Sequence, residues 1–337
     1  MKLSIIVPVY NESAHIQGVL RGLFAQEWDG PLDIVIVDGG STDGTPDRIR
    51  EVMPEVPQNV QIRVLQNPQR HIPISLNIGV RAAKGDIVIR LDGHTIPPRD
   101  FVSRSIKALE LAGGKAVVGG RWQIQPANES ACAEAIALAV SHPVGIGNAL
   151  YRTYQPAQHD NANLLNVDTV PFGAYPKKLW EELGGYDEKL LTSEDYDFVL
   201  RARKKGYPVL MDPNLVLRYI ARSTLLDLWK QYFRYGYWTV RLLAKHRCVP
   251  TARKLAPLLL VLTSISLLIL NLVWGAVWVT LYLLSILGMV LLETTRGKCN
   301  LTQAPYLYGA FITLHWAYGI GNLAGLLSLI QFGRESE

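Results

Sequence analysis

Two long stretches near the end of the chain lack charged side chains, and they limit what the chain can fold into. Leu255 to Leu292 contains no Asp, Glu, Lys or Arg, and Cys299 to Gly333 contains only His315 among residues that can carry a positive charge. A helix needs about 20 apolar residues to cross the hydrocarbon core of a bilayer. A buried helix of a soluble protein is the alternative for each stretch. The sequence predicts three transmembrane helices, at about 255–272, 273–292 and 304–330.

Basic residues flank these stretches. Residues 224–254 contain seven Lys or Arg and one acid, Asp227, and Arg296 and Lys298 follow the first stretch. Because basic loops stay in the cytosol, both flanks are predicted to be cytosolic, and the first two helices form a hairpin. The orientation of the last helix stays open. Aromatic and apolar side chains near helical spacing predict that 224–254 is an interfacial helix. A packed amphipathic helix with a solvated face is its alternative.

Cysteine content, charge and the first residues indicate the compartment. Cys132, Cys248 and Cys299 are far apart and form no CxxC pair, which excludes a disulfide scaffold and a zinc ribbon and fits a reducing compartment. A net charge of +5 is too small to indicate a nucleic-acid partner. Met1 leads into a short apolar run interrupted by Pro8, so no signal peptide is predicted. We expect a multi-pass protein of the inner (plasma) membrane with a cytosolic N-terminal domain.

Residues 1–223 have the pattern of an α/β domain. Four runs of strand length, LSIIVPV, LDIVIVD, QIRVLQ and DIVIRLD, alternate with helical patterns. One helix is predicted to begin at Thr45 as N-cap, with Pro46 as its first residue. Strands and helices that alternate in this way form a mostly parallel sheet, which binds ligands at the carboxyl ends of its strands.

Three of the predicted strands end in polar segments, PVYNE, VDGGSTD and RLDGH. Asp38 could accept a hydrogen bond from a nucleobase imide or a ribose hydroxyl, or it could only form the turn. Asp92 and His94 could complete the coordination of magnesium or manganese together with a diphosphate. A hydrogen bond between these two side chains within a loop is the alternative.

Two further segments carry candidate side chains. Residues 192–198, TSEDYDF, offer three acids, one of which could be a general base. Alternatively they are the solvated start of a helix, where carboxylates interact favourably with the helix dipole. Gln231, Arg234 and Tyr235 lie in the basic and aromatic stretch before the membrane helices.

The segments PVYNE, VDGGSTDGT, GDIVIRLDGH, GGYDEKLLTSEDYDFVLRARKKGY and QYFRYG, in this order, resemble the family 2 inverting glycosyltransferases of the GT-A fold. The resemblance covers Met1 to about His246. VPFGAYPKKLWEELGGYDEKL and HWAYGIGNLAGL are similar to segments of membrane-bound bacterial enzymes of exopolysaccharide synthesis. The resemblance implies a cytosolic GT-A domain at 1–223 (a Rossmann-like, mostly parallel sheet), a basic amphipathic interfacial segment at 224–254 and a transmembrane region at 255–333.

The resemblance also implies a role for each candidate. Asp195 would be the catalytic base, with Glu194 beside it, and Asp92 and His94 stand where the family has its D-x-D metal motif for Mn²⁺ or Mg²⁺. Tyr235 replaces the tryptophan of the Q-x-x-R-W motif of processive members, which argues against polymerisation. The nucleotide-sugar would contact a larger set: Pro8, Tyr10, Glu12, Asp38, Asp92, Gln231 and Arg234.

By this resemblance we expect a hexosyltransferase that moves a sugar from a nucleotide-sugar, a UDP-hexose, to a hydroxyl of a lipid-linked saccharide. Exopolysaccharide or another cell-surface glycan would be the product. A transferase that acts on polyprenyl phosphate itself is one alternative. A non-catalytic membrane scaffold that kept a nucleotide-binding domain is another.

Overall fold

A computed structural model describes residues 2–155, 163–247 and 252–333. Four residues of the predicted interfacial segment, Cys248 and the three that follow it, lie outside the described residues. The chain divides into two compact units, and each is described by itself. An α/β unit comprises Met1–Gln123 and Tyr154–Tyr219, and a helical unit comprises Ile124–Thr153 and Ile220–Glu337.

A mixed sheet of eight strands, in the order β3-β2-β1-β4-β7-β5-β8-β6, organises the first unit. Strands β1 to β4 are parallel to one another, whereas β7 is antiparallel to β4 and β5, and β6 is antiparallel to β8. The strands are β1 (Leu3–Val9), β2 (Leu32–Asp38), β3 (Val60–Gln66), β4 (Ile87–Arg90), β5 (Val117–Gln125), β6 (Leu165–Asn166), β7 (Ala174–Pro176) and β8 (Val209–Ile220).

Helices cover the parallel strands and bury them. Strands β1 and β2 are almost continuously apolar and buried, as expected for strands covered on both faces. The helices are α1 (Ile16–Phe24), α2 (Thr45–Val52), α3 (Ile72–Ala82), α4 (Phe101–Leu111), α8 (Lys177–Leu183) and α9 (Glu194–Lys204). The prediction of a mostly parallel α/β domain is confirmed.

The start of α2 differs from the prediction by one residue. Gly44, with φ 90°, is the N-cap, and Thr45 is the first helical residue. The reason is that the Thr45 hydroxyl donates to Asp43 Oδ1 at 2.6 Å and accepts from the Glu12 amide at 2.8 Å. The Thr45 side chain, which was predicted to be the N-cap, therefore connects the loops after β1 and β2 instead of capping α2.

The second unit is helical. Among the residues that the structure describes, α11, α12 and α13 are long and apolar enough to cross a membrane, over Arg253–Leu270, Leu272–Thr295 and Ala304–Ile330. The boundary between α11 and α12 falls at Asn271, whose side chain accepts hydrogen bonds from two backbone amides of α12. The helices are α5 (Ala131–Ala139), α6 (Pro143–Ile146), α7 (Leu150–Thr153), α10 (Leu225–His246), α11 (Ala252–Leu270), α12 (Leu272–Thr295) and α13 (Ala304–Gly333).

The structure groups residues 124–153 with this helical unit, whereas the sequence analysis placed them in a domain 1–223. Helix α5 is an alanine-rich helix that buries one face against α13. Polar contacts fix the same arrangement, because Gln303 donates to Glu134 and His315 Nε2 lies 2.7 Å from the Val144 carbonyl oxygen. Their partner helix lies more than 150 residues later in the chain, so the local sequence could not reveal it.

Candidate active site

The loops after β1 and β2 are joined into one surface at the carboxyl ends of these strands. The Asn11 amide donates to Ser41 Oγ at 2.9 Å, and the Thr42 amide donates to Asn11 Oδ1 at 2.9 Å. Asn11 has φ 55°, a left-handed conformation that Asn tolerates better than most residues. Below it, the Gly39 amide donates to the Val9 carbonyl at 2.8 Å. The predicted segments PVYNE and VDGGSTD thus form a single rim.

Asp38 is buried and serves the turn directly. Its Oδ1 accepts from both the Ser41 amide at 3.1 Å and the Ser41 hydroxyl at 2.6 Å. These bonds match the turn-forming role that the sequence left open. They use one carboxylate oxygen, Oδ1.

Tyr10 and Arg70 form one side of this rim. Tyr10 is 43% exposed, and the Arg70 guanidinium carbon lies 5.7 Å from the centre of its ring. A planar base could stack on such a pair. Pro8 is half-buried in β1, paired with Val37 of β2. Arg70 was not predicted from the sequence, although the segment NPQRH directly after β3 was a possible signal.

Glu12 connects the first loop to the predicted metal motif. His94 Nδ1 lies 2.8 Å from Glu12 Oε1, and His15 Nδ1 lies 3.4 Å from Glu12 Oε2. Gly93 fits between the two candidate ligands because a Cβ there would lie 2.8 Å from a methyl group of Val9. His94 is therefore held at the rim by a carboxylate from the loop after β1.

The donor set at Asp92 and His94 is small. Within 2–155, 163–247 and 252–333, no group of three or more His, Cys, Asp or Glu side chains could hold a metal ion by itself. One carboxylate and one imidazole nevertheless suit manganese or magnesium chemically, provided that a diphosphate supplies the remaining oxygens. The residues present fit a cation that binds together with its nucleotide.

Arg90 links the metal motif to the acidic pair, and the sequence analysis gave it no role. Its side chain is only 13% exposed. Its Nε donates to Asp92 Oδ1 at 3.1 Å, and its Nη1 donates to Glu194 Oε1 at 2.9 Å. Burial raises the pKa of Glu194 to about 7, although Arg90 acts in the opposite direction. One guanidinium thus holds carboxylates from two separate segments of the chain.

The three acids of α9 have three different environments. Ser193, at the N-cap with φ 68°, turns the chain so that Glu194 is buried while Asp195 is exposed. Asp195 Oδ1 accepts only locally, from the Tyr196 amide at 2.7 Å. Asp197 is fully buried and binds Arg201 at 2.7 Å. Asp197 is structural, Glu194 pairs with Arg90, and Asp195 is accessible.

Gln231 and Arg234 lie on α10 of the helical unit. Gln231 is buried and donates to the Tyr235 hydroxyl at 3.0 Å, whereas Arg234 is exposed. Tyr235 packs edge-on against Tyr232, with ring centres 5.5 Å apart. The tyrosine at the position of the family's tryptophan is therefore packed within its own helix.

An α/β sheet with carboxylates, hydroxyls and guanidinium groups at the ends of its parallel strands defines a class of enzyme that binds a nucleotide-type ligand at this edge. The chain matches the family models "Glycosyl transferase family 2" over residues 4–131 and "Glycosyl transferase family group 2" over residues 172–322. It is 30% identical over 278 residues to succinoglycan biosynthesis protein ExoA of Rhizobium meliloti (strain 1021). That match covers 81% of this chain and 79% of ExoA. The chain belongs to glycosyl transferase family 2, which confirms the resemblance seen in its motifs.

Two other proteins are also similar. One is the dolichyl N-acetyl-alpha-D-glucosaminyl phosphate 3-beta-D-2,3-diacetamido-2,3-dideoxy-beta-D-glucuronosyltransferase of Methanococcus voltae, 29% identical over 245 residues, with 69% of this chain and 71% of that protein covered. The other is mannosyltransferase PcManGT from Pyrobaculum calidifontis, solved in complex with GDP-Man and Mn²⁺. Its structure matches with a TM-score of 0.59 and 20% identity, covering 95% of this chain and 86% of that one. At this identity the likeness confirms the GT-A fold.

Proposed function

We propose that the protein is an inverting hexosyltransferase that transfers a sugar from a UDP-hexose to a hydroxyl of a lipid-linked saccharide. The observation that carries the proposal is the position of Arg90 between Asp92 and Glu194. Through this residue, the segment expected to bind the diphosphate and the segment expected to supply the base adjoin each other. An accessible carboxylate, Asp195, follows directly.

The proposed mechanism is a single displacement. Asp195 accepts the proton of the acceptor hydroxyl, and the hydroxyl oxygen attacks the anomeric carbon from the face opposite the diphosphate. The bond to the diphosphate breaks, and the configuration inverts. Asp195 is the better candidate base because Glu194 is already bound to Arg90 and is buried. The roles that the resemblance implies for Gln231 and Arg234 stay predictions.

Asp92 and His94 would hold a divalent cation together with the donor diphosphate. A cation bound there would supply positive charge to the departing diphosphate. Glu12 holds the His94 ring through Nδ1, an outer contact of the kind that orients metal-binding histidines. The Mn²⁺ in the complex of PcManGT supports a divalent cation in general, and the choice between manganese and magnesium is part of the proposal.

Exhaustive chelation is expected to abolish transfer, and manganese is expected to restore it at least as well as magnesium because His94 supplies a nitrogen ligand. The measurement is sugar transfer after chelation and add-back of each ion. His94→Asp is expected to shift the preference towards magnesium, whereas His15→Gln, at the other oxygen of Glu12, should leave the preference unchanged. Full activity in excess chelator would refute the metal role.

The lipid-linked acceptor and the membrane location rest on two observations. The Methanococcus voltae relative is named for transfer to a dolichyl-linked sugar, and this chain has three apolar helices long enough to cross a membrane. We propose an inner-membrane protein whose α/β unit is cytosolic and whose product enters exopolysaccharide or another cell-surface glycan. The test supplies radiolabelled UDP- and GDP-sugars to membranes and follows the label into the lipid fraction.

Mild acid then distinguishes the acceptors. Release of the label in an oligosaccharide supports the proposal, and release as a single sugar indicates transfer to polyprenyl phosphate itself. No transfer from any donor, with nucleotide binding intact, would indicate a non-catalytic scaffold.

One sugar is expected to be added at each encounter. Tyr235 replaces the tryptophan of processive relatives and packs against Tyr232 within the helix. Purified protein would be incubated with excess donor and an isolated lipid-linked acceptor, and the products would be sized by mass spectrometry. Tyr235→Trp serves as the comparison. A ladder of products rising by one hexose each, at early times, would contradict single addition.

A further inference from the structure

Helices α10 and α13 of the helical unit run side by side in the same direction. Going along both helices, Leu225 lies against Gly309, Phe233 against Gly321 and Arg241 against Ser328. The Tyr318 hydroxyl donates to Thr239 Oγ1 at 3.0 Å, and Arg241 Nη1 donates to Ser328 Oγ at 3.0 Å. The two helices therefore share one orientation over most of the length of α10.

Glycine residues bring the two backbones into contact. A side chain at Gly321 would collide with the carbonyl of Phe233, and one at Gly236 would collide with the carbonyl of Tyr318. At Gly325 a Cβ would lie 2.6 Å from the Tyr237 carbonyl oxygen. Because these contacts recur from Leu225 to Arg241, α10 and α13 run nearly parallel and should have similar tilts relative to a membrane.

The exposed side chains of α10 and α13 differ in their chemistry. Helix α10 has exposed charged side chains at its two ends, Asp227, Lys230 and Arg234 near the start, where Leu226 is also exposed, and Lys245 near the end, and the exposed Arg247 follows it directly. Helix α13 has partly or fully exposed apolar side chains at helical spacing, among them Ile312, Ile320, Leu323, Leu327 and Ile330. The opposite face of α13 is buried in protein. The exposed side chains of the pair are therefore mainly basic on α10 and mainly apolar on α13.

The hairpin of α11 and α12 has a different surface. Large apolar side chains are exposed over most of the surface of α12, including Val273, Trp274, Trp278 and Leu281, and one face is buried. Such a surface suits a helix surrounded by lipid. The pair of α10 and α13 is not suited to cross the membrane, because Lys230 and Arg234 would then face hydrocarbon, where charged side chains are costly.

We propose that α10 and α13 lie in the plane of the cytosolic membrane interface, and that only α11 and α12 cross the bilayer. The exposed apolar side chains of α13 enter the boundary of the acyl chains, and the exposed basic side chains of α10 bind anionic lipid headgroups. Arg241 supports this position, since it lies 5.6 Å from the ring centres of both Tyr237 and Trp238 in a cluster typical of membrane interfaces. Both ends of the chain are then cytosolic. This inference does not depend on the sugar-transfer reaction.

Depth measurements test the proposal directly. In a full-length variant without native cysteines, shown to be folded, a nitroxide is placed in turn at Ile312, Ile320 and Leu327. We expect all three labels at one shallow depth, about 5–10 Å into the boundary. Labels at Leu281, Leu284 and Leu291 of α12 are the control, and their depths should change along the helix. If α13 crosses, its labels will spread over about 22 Å, the rise of 15 helical residues, and the proposal is wrong.

Two further measurements cover the other parts. A reporter fused to the C-terminus should be cytosolic, and an external reporter would overturn the two-crossing topology.

A label at Ala244, exposed on α10, should become less accessible to a water-soluble quencher when phosphatidylglycerol is added to phosphatidylcholine vesicles, and high salt should reverse the change. Lys230→Gln with Lys245→Gln should weaken this response. Equal accessibility in both lipids would refute the binding of anionic headgroups.

Discussion

Asp195→Asn is expected to lower kcat by about 10²- to 10⁴-fold, the contribution usual for a general base, while the affinity for nucleotide changes little. Asparagine keeps the shape of the side chain and can still accept from the Tyr196 amide, so α9 should begin as before. It cannot accept the proton of the acceptor hydroxyl. The measurements are single-turnover transfer and nucleotide Kd on the same preparation.

Two variants make this result specific. Asp47→Asn changes an exposed carboxylate in the first turn of α2 and should leave transfer unchanged. Glu194→Gln removes the buried neighbour, and it should affect activity through Arg90 and not as loss of a base. Near-normal transfer by Asp195→Asn would remove this residue from the mechanism. If Glu194→Gln alone abolished transfer, the base would have to be reassigned to Glu194.

The sequence predicted the parallel half of the sheet well because each of these strands has a recognisable pattern in its own residues. LSIIVPV and LDIVIVD are almost continuously apolar, as expected for strands that are covered on both faces. The antiparallel strand β7 has three residues, Ala174–Pro176, and becomes a strand only by pairing with β4 and β5. A segment whose conformation depends on distant partners has no local signature.

Residues were proposed for the site where the residue type itself indicates chemistry. They were overlooked where only their contacts in the folded protein give them a role. Asp92, Glu194 and Asp195 stand out as acids in short motifs. Arg90, an arginine inside a strand, looks like a solvated edge position until the fold brings Glu194 to it, 104 residues away. The division between a buried Glu194 and an exposed Asp195 depends on the left-handed conformation of Ser193, which the sequence does not show.

Arg90→Gln is expected to lower both the stability of the fold and sugar transfer. Removing one partner of a buried ion pair costs about 3–5 kcal/mol in the free energy of unfolding, since the other charge stays buried without compensation. Both Asp92 and Glu194 would lose a hydrogen bond, and neither segment would be held against the other. We therefore expect transfer to fall by at least about 100-fold and thermal stability to fall in the same variant.

The loss of stability should depend on pH. Burial already raises the pKa of Glu194, and removal of Arg90 takes away the group that lowers it. A carboxyl group whose folded pKa is raised stabilises the fold below its unfolded pKa, and this contribution is lost as the pH rises through the folded pKa. The deficit of Arg90→Gln should thus be smaller at pH 6 than at pH 8, as measured by the Tm of the full-length protein in detergent.

Arg63→Gln is the matched control for Arg90→Gln. Arg63, in the middle of β3, binds the nearly buried Asp33 at 2.7 Å near the amino end of β2, away from the carboxyl ends of the strands that form the site. Arg63→Gln should lower the Tm about as much as Arg90→Gln does, and it should leave the kcat of the folded protein unchanged. The double variant Arg90→Gln with Glu194→Gln should recover stability, because no buried charge remains at position 194, but not transfer. If it recovered both, Arg90 would be only a structural residue, and the link between the diphosphate-binding segment and the acidic pair would have no part in catalysis.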